Sequence, residues 1–354
     1  MDPELQDERL DKGSTYVSHP KNLLGCALAA LALPGLLTGC GDSRGGTTPV
    51  TNPLTNPDVI LFGAGRATDA SWHFYAMNPD GSGTVLVPGL SSLNAKLSQG
   101  ITLNQDAAFA AVALASADGS VVERRLIRLS DGVAVYSVTT LNGQQPTVFS
   151  PNSAGGLLTV AGSPAPSDPY GIYTVSPDGT QKNRLYTLPA GPLPRGNGIN
   201  EIINSPDGAN IYFVMQTPQV DTAPINVLYK LGALASVPTV IADIGKPIRS
   251  LHTSRDGTKL AFVSVEQAFT SPNAAITPYT LNADGTGLTK GATITITGSF
   301  APWDANIASR ADGFHLLYAV MVNGVKQIFD VRPDGSGRTQ ITAGTTDSAS
   351  PGSR

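Results

Sequence analysis

Residues 326–337 read KQIFDVRPDGSG, an apolar strand that runs into a Pro-Asp-Gly turn. The same arrangement recurs in HFYAMNPDGSG (73–83), RRLIRLSDG (124–132), GIYTVSPDG (171–179) and TPYTLNADGTG (277–287). Between these copies lies a second pattern, a Ser-Pro-Asp-Gly-like turn leading into a very apolar strand. Its copies are SPNSAGGLLTVAG (150–162), SPDGANIYFVM (205–215), SRDGTKLAFVS (254–264) and SRADGFHLLYAV (309–320), with LNQDAAFAAVAL (103–114) a degenerate one. Proline presets φ at the second turn position, aspartate bonds the backbone ahead of it, and glycine accepts a positive φ at the exit. Each copy is thus a tight hairpin, and Asp80, Asp178, Asp207, Asp256, Asp284 and Asp334 are read as structural turn residues. A calcium loop alternates several oxygen ligands, whereas each turn here offers a single carboxylate.

Asp80 to Asp178 spans 98 residues over two units and Asp178 to Asp334 spans 156 over three, so one unit holds about 50 residues. Four short strands in such a unit make a propeller blade. In each unit strand A runs into the first turn, strand B is the LAFVS-like segment, strand C the IYTV-like segment, and strand D follows the second turn. Strand D reads VLVP, AVYSV, RLYTL, TVIAD, TITIT and TQIT in successive units. The first unit opens at strand B, VILFGAG (59–65), and lacks its own strand A; the tail from Asp347 (DSASPG) supplies a candidate. The expected fold is all-β: a six-bladed β-propeller of four-stranded blades, closed by pairing of the N- and C-terminal segments. Such closure removes the open sheet edges that a linear array exposes.

Over residues 59–352 these Pro-Asp-Gly turns resemble the TolB-like six-bladed propeller family. That family includes the Tol-system periplasmic protein and many lipoproteins, so the resemblance implies a place in the cell envelope. The tether described next leads straight into the propeller, where that protein carries an α/β domain, so its partners and role are not transferred.

Leu23 to Thr38 (LLGCALAALALPGLLT) is uncharged and apolar, follows Lys21, and reads as a signal peptide. A permanent span needs about 18 apolar residues, and Pro34 interrupts this shorter run. Leu37-Thr38-Gly39-Cys40 resembles a bacterial lipobox, which makes Cys40 the lipidation site and the membrane a partner through its acyl chains. Cys26 lies inside the apolar run and would be lost on cleavage. The acidic excess of the first twenty residues (Asp2, Glu4, Asp7, Glu8 and Asp11) is unusual for a leader and leaves the start of residues 1–39 open. Residues 40–57 are Gly, Thr, Asn and Pro rich and read as a flexible tether, with 58–354 the propeller. Gly41 after the cysteine favours the outer membrane, facing the periplasm.

Composition excludes several classes. Charged residues make up 14% of the chain and the net charge is −4, no footprint for a nucleic-acid backbone. After processing Cys40 is the sole cysteine, so neither a disulfide framework nor a cysteine metal site is expected. His73, His252 and His315 fall in separate units without metal-ligand spacing, and no cofactor is implied. The sequence holds no G-x-S-x-G, H-E-x-x-H or P-loop motif.

Strand direction alternates within a unit, which puts the Asp-Gly turns on one face and the longer B–C and D–A loops on the other. Binding work belongs to such loops on a rigid scaffold. Around the expected channel mouth the candidates are Arg195, Asn200, Glu201, Arg249, Trp303 and Asp304. The function expected is a non-catalytic module for a protein, peptide or glycan ligand, or a scaffold. The alternatives are a propeller enzyme acting on carbohydrate through His252, Arg249 and Asp304, and a rigid spacer.

Overall fold

The computed structural model describes residues 56–353 apart from position 57 and segments 66–72, 88–95, 98–101, 104–108, 116–120, 130–132, 142–147, 152–157, 163–168, 177–179, 189–197, 218–224, 233–234, 268–272, 298–303 and 345–346. The signal peptide, Cys40, most of the tether, Arg195, Trp303 and Asp178 therefore lie outside the described residues. Chain contacts separate two units, Met1–Thr48 and Pro49–Arg354, and every described residue belongs to the second.

Among the described residues the structure is all-β, strands only, in six antiparallel sheets. Sheet one orders its strands Asp347–Ser353, Ile60–Gly65, His73–Met77 and Val85–Leu86. Sheet two runs Lys96–Leu97 with Thr102–Leu103, then Phe109–Ala115, Val121–Arg128 and Ala134–Leu141. Sheet three is Val148–Pro151, Leu158–Gly162, Gly171–Val175 and Lys182–Thr187. Sheet four is Ile199–Asn204, Asn210–Thr217, Ile225–Gly232 and Thr239–Asp243. Sheet five is Arg249–Thr253, Lys259–Gln267, Asn273–Asn282 and Thr289–Lys290, with Ile294–Thr297 also on the third strand. Sheet six is Ala305–Arg310, Gly313–Val322, Val325–Val331 and Thr339–Gln340. In sheet five the TITIT segment thus shares the outer position with Thr289–Lys290, a pairing the repeat pattern did not anticipate.

The second strand of each unit is apolar at consecutive positions because it is buried on both faces. Side chains alternate across a strand. Leu260 and Phe262 face sheet four, while Ala261, Val263 and Val265 face sheet six. Six apolar clusters result, each shared by two sheets: one with two, two with three, three with four, four with five, five with six, and six with one. Within four sheets an aromatic on the second strand sits opposite one on the third and stacks on it: Phe62 on Tyr75, Phe213 on Tyr229, Phe262 on Tyr279 and Tyr318 on Phe329. Their ring centroids lie 5.3–5.7 Å apart, and such pairs add about 0.5–1.5 kcal/mol beyond area burial.

The chain ends meet in sheet one. Ile60 pairs with Ser353, Leu61 with Gly352, Ala64 with Ser348 and Gly65 with Asp347, with a register shift between Leu61 and Gly63. The first strands of neighbouring sheets touch, including Ala305–Arg310 against Asp347–Ser353. Asn306 Nδ2 donates to the Pro351 carbonyl at 3.0 Å. Arg255, in the first turn of sheet five, forms an ion pair with Asp58 at the head of the described chain.

Gly81 shows how closely sheets one and six approach. Its φ is +82°, and a Cβ there would lie 2.4 Å from the Ile341 carbonyl oxygen of sheet six. Gly285 (φ +91°), in the equivalent turn of sheet five, repeats the contact against Ile241 of sheet four. Gly81→Ala should therefore lower unfolding stability by more than about 1 kcal/mol, whereas Gly344→Ala, with open space around it, should stay within about 0.5 kcal/mol. Urea midpoints of the two variants check this, and equal midpoints would contradict the close approach.

Candidate functional site

On the turn face the aspartates bond to their own hairpins. The Asp80 carboxylate accepts from Ser82 N at 2.9 Å and Ser82 Oγ at 2.6 Å. Asp256 accepts from Thr258 N, Thr258 Oγ1 and Ser254 Oγ at 3.0, 2.8 and 2.6 Å. Asp207, Asp284 and Asp334 each take the backbone N–H two residues ahead at 2.8–3.0 Å. These donors stabilise the charged form, so the carboxyls of Asp80, Asp207, Asp284 and Asp334 titrate below the usual range, and Asp256 falls to about 2. Between sheets four and five the turns border a groove of about 430 Å³ lined by Asp207, Asp256, Asp284, Lys230 and Tyr212. Lys230 Nζ lies 3.4 Å from the Ala283 carbonyl and 6.0 Å from the Tyr212 ring centre. Among the described residues no three His, Cys, Asp or Glu are placed to hold a metal ion.

The opposite face gathers a different set. Strand direction puts Asn200, Glu201, Arg249 and Asp304 at the loop-side ends of the first strands of sheets four, five and six. The structure brings Glu201 and Arg249 together and adds two residues that the sequence reading missed, Arg124 and Tyr170. Glu201 follows a register shift in its strand, and Arg249 precedes another. Inside that second irregularity Ser250 takes φ = +51°, a left-handed conformation for a residue with a side chain, at a cost of about 1–3 kcal/mol. The main chain of Ser250 and Leu251 at this twist favours the charged form of the Glu201 carboxyl. Ser250 Oγ donates to the Ala305 carbonyl at 2.8 Å, tying sheet five to sheet six.

Burial raises the Glu201 carboxyl above its usual range, opposed by Arg249, the two backbone donors and Arg124. Arg124 is only 5% exposed, and burial lowers its guanidinium to about 10 against the attraction of Tyr170 and Glu201. Burial lifts the Tyr170 phenol to about 12, while its oxygen accepts from Ile199 N at 3.2 Å. Arg124 had a readable signal. It lies two residues before the buried Leu126 and so shares the strand face turned to sheet three, whereas Arg125 pairs with Glu123 on the other.

Asp304 is fully buried and pairs with Lys326 Nζ at 2.7 Å. His252 Nε2 lies 3.2 Å from Asn306 Oδ1, in the chain of contacts that reaches Pro351. His315 sits between Asp330 (2.8 Å) and Asp312 (3.1 Å) on the turn side of sheet six, and His73 is exposed at a strand start. His252 bonds Asn306 and Asp304 bonds Lys326, so these two bonds run to different partners.

No family model and no curated protein matches the chain. Among solved structures, TolB from Acinetobacter baumannii matches with a TM-score of 0.57 and 19% identity, over 84% of this chain and 66% of that one. A putative TolB from Agrobacterium tumefaciens gives 0.41 at 18% identity, over 67% of this chain and 82% of that one. An oligogalacturonate lyase in complex with manganese gives 0.43 at 14% identity, over 80% and 72%. The chain spans 66% of the length of the Acinetobacter protein, and that likeness shows a common propeller-type fold.

The Asp256 carboxyl carries a pH signature. Its folded-state value is lowered from 3.8 to about 2, so its contribution is complete above the unfolded value and is lost as pH falls through that interval. Asp256→Asn keeps an acceptor but does not titrate. Its denaturation midpoint should drop less than that of the parent between pH 5 and pH 2.5; equal drops would remove the assignment.

Proposed function

We propose that the chain is a six-bladed propeller closed by its two ends, lipid-anchored at Cys40 in the bacterial envelope, and that it works as a non-catalytic binding module through the loop face. Closure is supported by the sixth apolar cluster, in which Ile60, Phe62 and Ala64 of sheet one pack on Leu317, Ala319 and Ile328 of sheet six. A linear array of six sheets would form five such interfaces. The lipobox sequence supports the anchor, and Gly41 the outer membrane facing the periplasm. Asn56 Nδ2 donates to Asn78 Oδ1 at 2.9 Å, so the chain enters on the Asp-Gly turn side and leaves the loop side uncovered by that entry.

The observation that carries the binding role is the Glu201, Arg249, Arg124 and Tyr170 cluster at the loop-side ends of the strands. Its carboxyl lies beside the main chain of Ser250 and Leu251 and within electrostatic reach of two guanidinium groups, an arrangement suited to recognition. A protein, peptide or glycan partner is consistent with it. Carbohydrate chemistry through His252, Arg249 and Asp304 has less support, since His252 is bonded to Asn306 and Asp304 to Lys326.

Three measurements test the parts separately. Removing residues 347–354 should lower the thermal midpoint by several degrees, and an unchanged midpoint would contradict closure. Cys40→Ala should move the protein from the membrane to the soluble fraction; retention in the membrane would exclude the lipid anchor. In envelope pull-downs with the full chain, Arg249→Ala should lose captured material while the turn-face variant Asp284→Ala keeps it, and the reverse pattern would move the binding surface to the other face.

A further inference from the structure

We infer that the ion pair between Asp58 and Arg255 is a strap across the turn side of the ring, so that the seat of the entering chain and the closure of the propeller form one equilibrium. This rests on the ring closure proposed above and adds a second fastening to it. The two residues lie 197 positions apart, Asp58 leading into sheet one and Arg255 in the first turn of sheet five. Those sheets are not neighbours. Sheet five packs on sheets four and six, sheet one packs on sheets six and two, and among the described residues no apolar cluster joins one to five. The pair therefore reaches past sheet six. It does so at the seam, since Asp58 stands two residues ahead of Ile60, the residue that pairs with Ser353.

Both ends of the strap are fixed before they meet. Asp58 N donates to Asn56 Oδ1 at 2.9 Å and Val59 N donates to the Asn56 carbonyl at 3.2 Å, while Asn56 Nδ2 donates to Asn78 Oδ1 in the hairpin of sheet one. Arg255 sits in a turn closed by Gly257 N on the Ser254 carbonyl at 2.9 Å, with the Asp256 carboxylate accepting from Ser254 Oγ and Thr258 N. An exposed ion pair contributes little because two long side chains must be ordered to form it and salt screens it. Here the backbone under each partner is already set, and the side chains are only 31% and 20% exposed. A link between sheets that do not pack on each other also opposes a motion that no single apolar interface does, the swing of sheet one away from the ring. Without the terminal strand, sheet one stays tied to sheet five; without the strap, it stays paired to Asp347–Ser353. Each fastening backs the other, and whatever draws Asp58 off Arg255 loosens the seam.

Amide hydrogen exchange and thermal unfolding of the full-length protein test the strap. Asp58→Asn should speed exchange about fivefold or more in residues 60–65 and 347–353 together, while residues 260–265 of sheet five keep their protection. Arg255→Gln should do the same, and the charge swap that combines Asp58→Arg with Arg255→Asp should restore most of what either change removes. Joining Asp58→Asn to the removal of residues 347–354 should lower the thermal midpoint by more than the sum of the two separate shifts, because sheet one then has neither fastening. Glu266→Gln, which breaks the exposed pair with Lys246, should leave exchange at the seam unchanged. Unaltered exchange at residues 60–65 in Asp58→Asn, faster exchange confined to the turn at 254–257, or a charge swap without recovery would each overturn the inference. If removing the tail alone leaves the midpoint unchanged while Asp58→Asn still opens residues 60–65, closure by the terminal strand falls and the strap stands. If the tail matters and Asp58→Asn changes nothing, the strap falls and the closure stands.

Discussion

Two-sided burial of the second strand is the constraint on which the rest depends. Lys259–Gln267 shows it plainly: residues 260–265 are all buried, odd and even positions alike. A strand of this kind is stable only with an apolar layer against each face, so every sheet requires two neighbours. Residues 60–64 place the same demand on the first sheet, and Met77 joins Ile60, Phe62 and Ala64 against the last one. The terminal strand Asp347–Ser353 completes the first sheet's hydrogen bonding at the edge that Ile60–Gly65 would otherwise expose. The outer edges of sheets one and six are handled differently: Val85–Leu86 and Thr339–Gln340 are two residues long, too short to template another strand.

What was legible follows from the same physics. The second strands were readable because double burial leaves an uninterrupted apolar run, as in IYFVM or LAFVS, and the hairpins because Pro-Asp-Gly chemistry is local. The unequal first unit and its complement at Asp347 could be read from the count of strands. First strands were harder. INEIIN (199–204) and RSLHT (249–253) mix polar and apolar residues, with burial that does not alternate, and both contain register shifts that break a period of two. Glu201 and Arg249 could be nominated from their loop-side position. Arg124 sits within Glu-Arg-Arg, where local sequence looks solvated and only the strand's parity distinguishes the buried arginine. Nothing local announces the left-handed Ser250, since serine is not a residue that demands that conformation.

The two faces use polar groups in opposite ways. On the turn side the hairpin aspartates Asp80, Asp207, Asp256, Asp284 and Asp334 are satisfied within two residues of chain, and their lowered titration reports that self-sufficiency. Those turns can be rigid without help from a ligand. On the loop side polar groups reach across sheets instead: Tyr170 to Ile199, Ser250 to Ala305, and Asn306 to Pro351. These contacts bind neighbouring first strands where apolar packing thins.

That difference explains why strain is tolerated at Ser250 and nowhere among the described hairpin aspartates. A left-handed serine persists only where its surroundings over-determine it. Here Leu251 is buried beside the residue and Oγ is fixed to the Ala305 carbonyl, so relaxation would disturb a packed side chain and break a link between two neighbouring sheets. The result is a carboxyl raised by burial, with the Arg249 and Arg124 guanidinium groups within electrostatic reach. Apolar interfaces between the sheets make the scaffold stiff enough to hold these ionisable groups together where the first strands of neighbouring sheets meet.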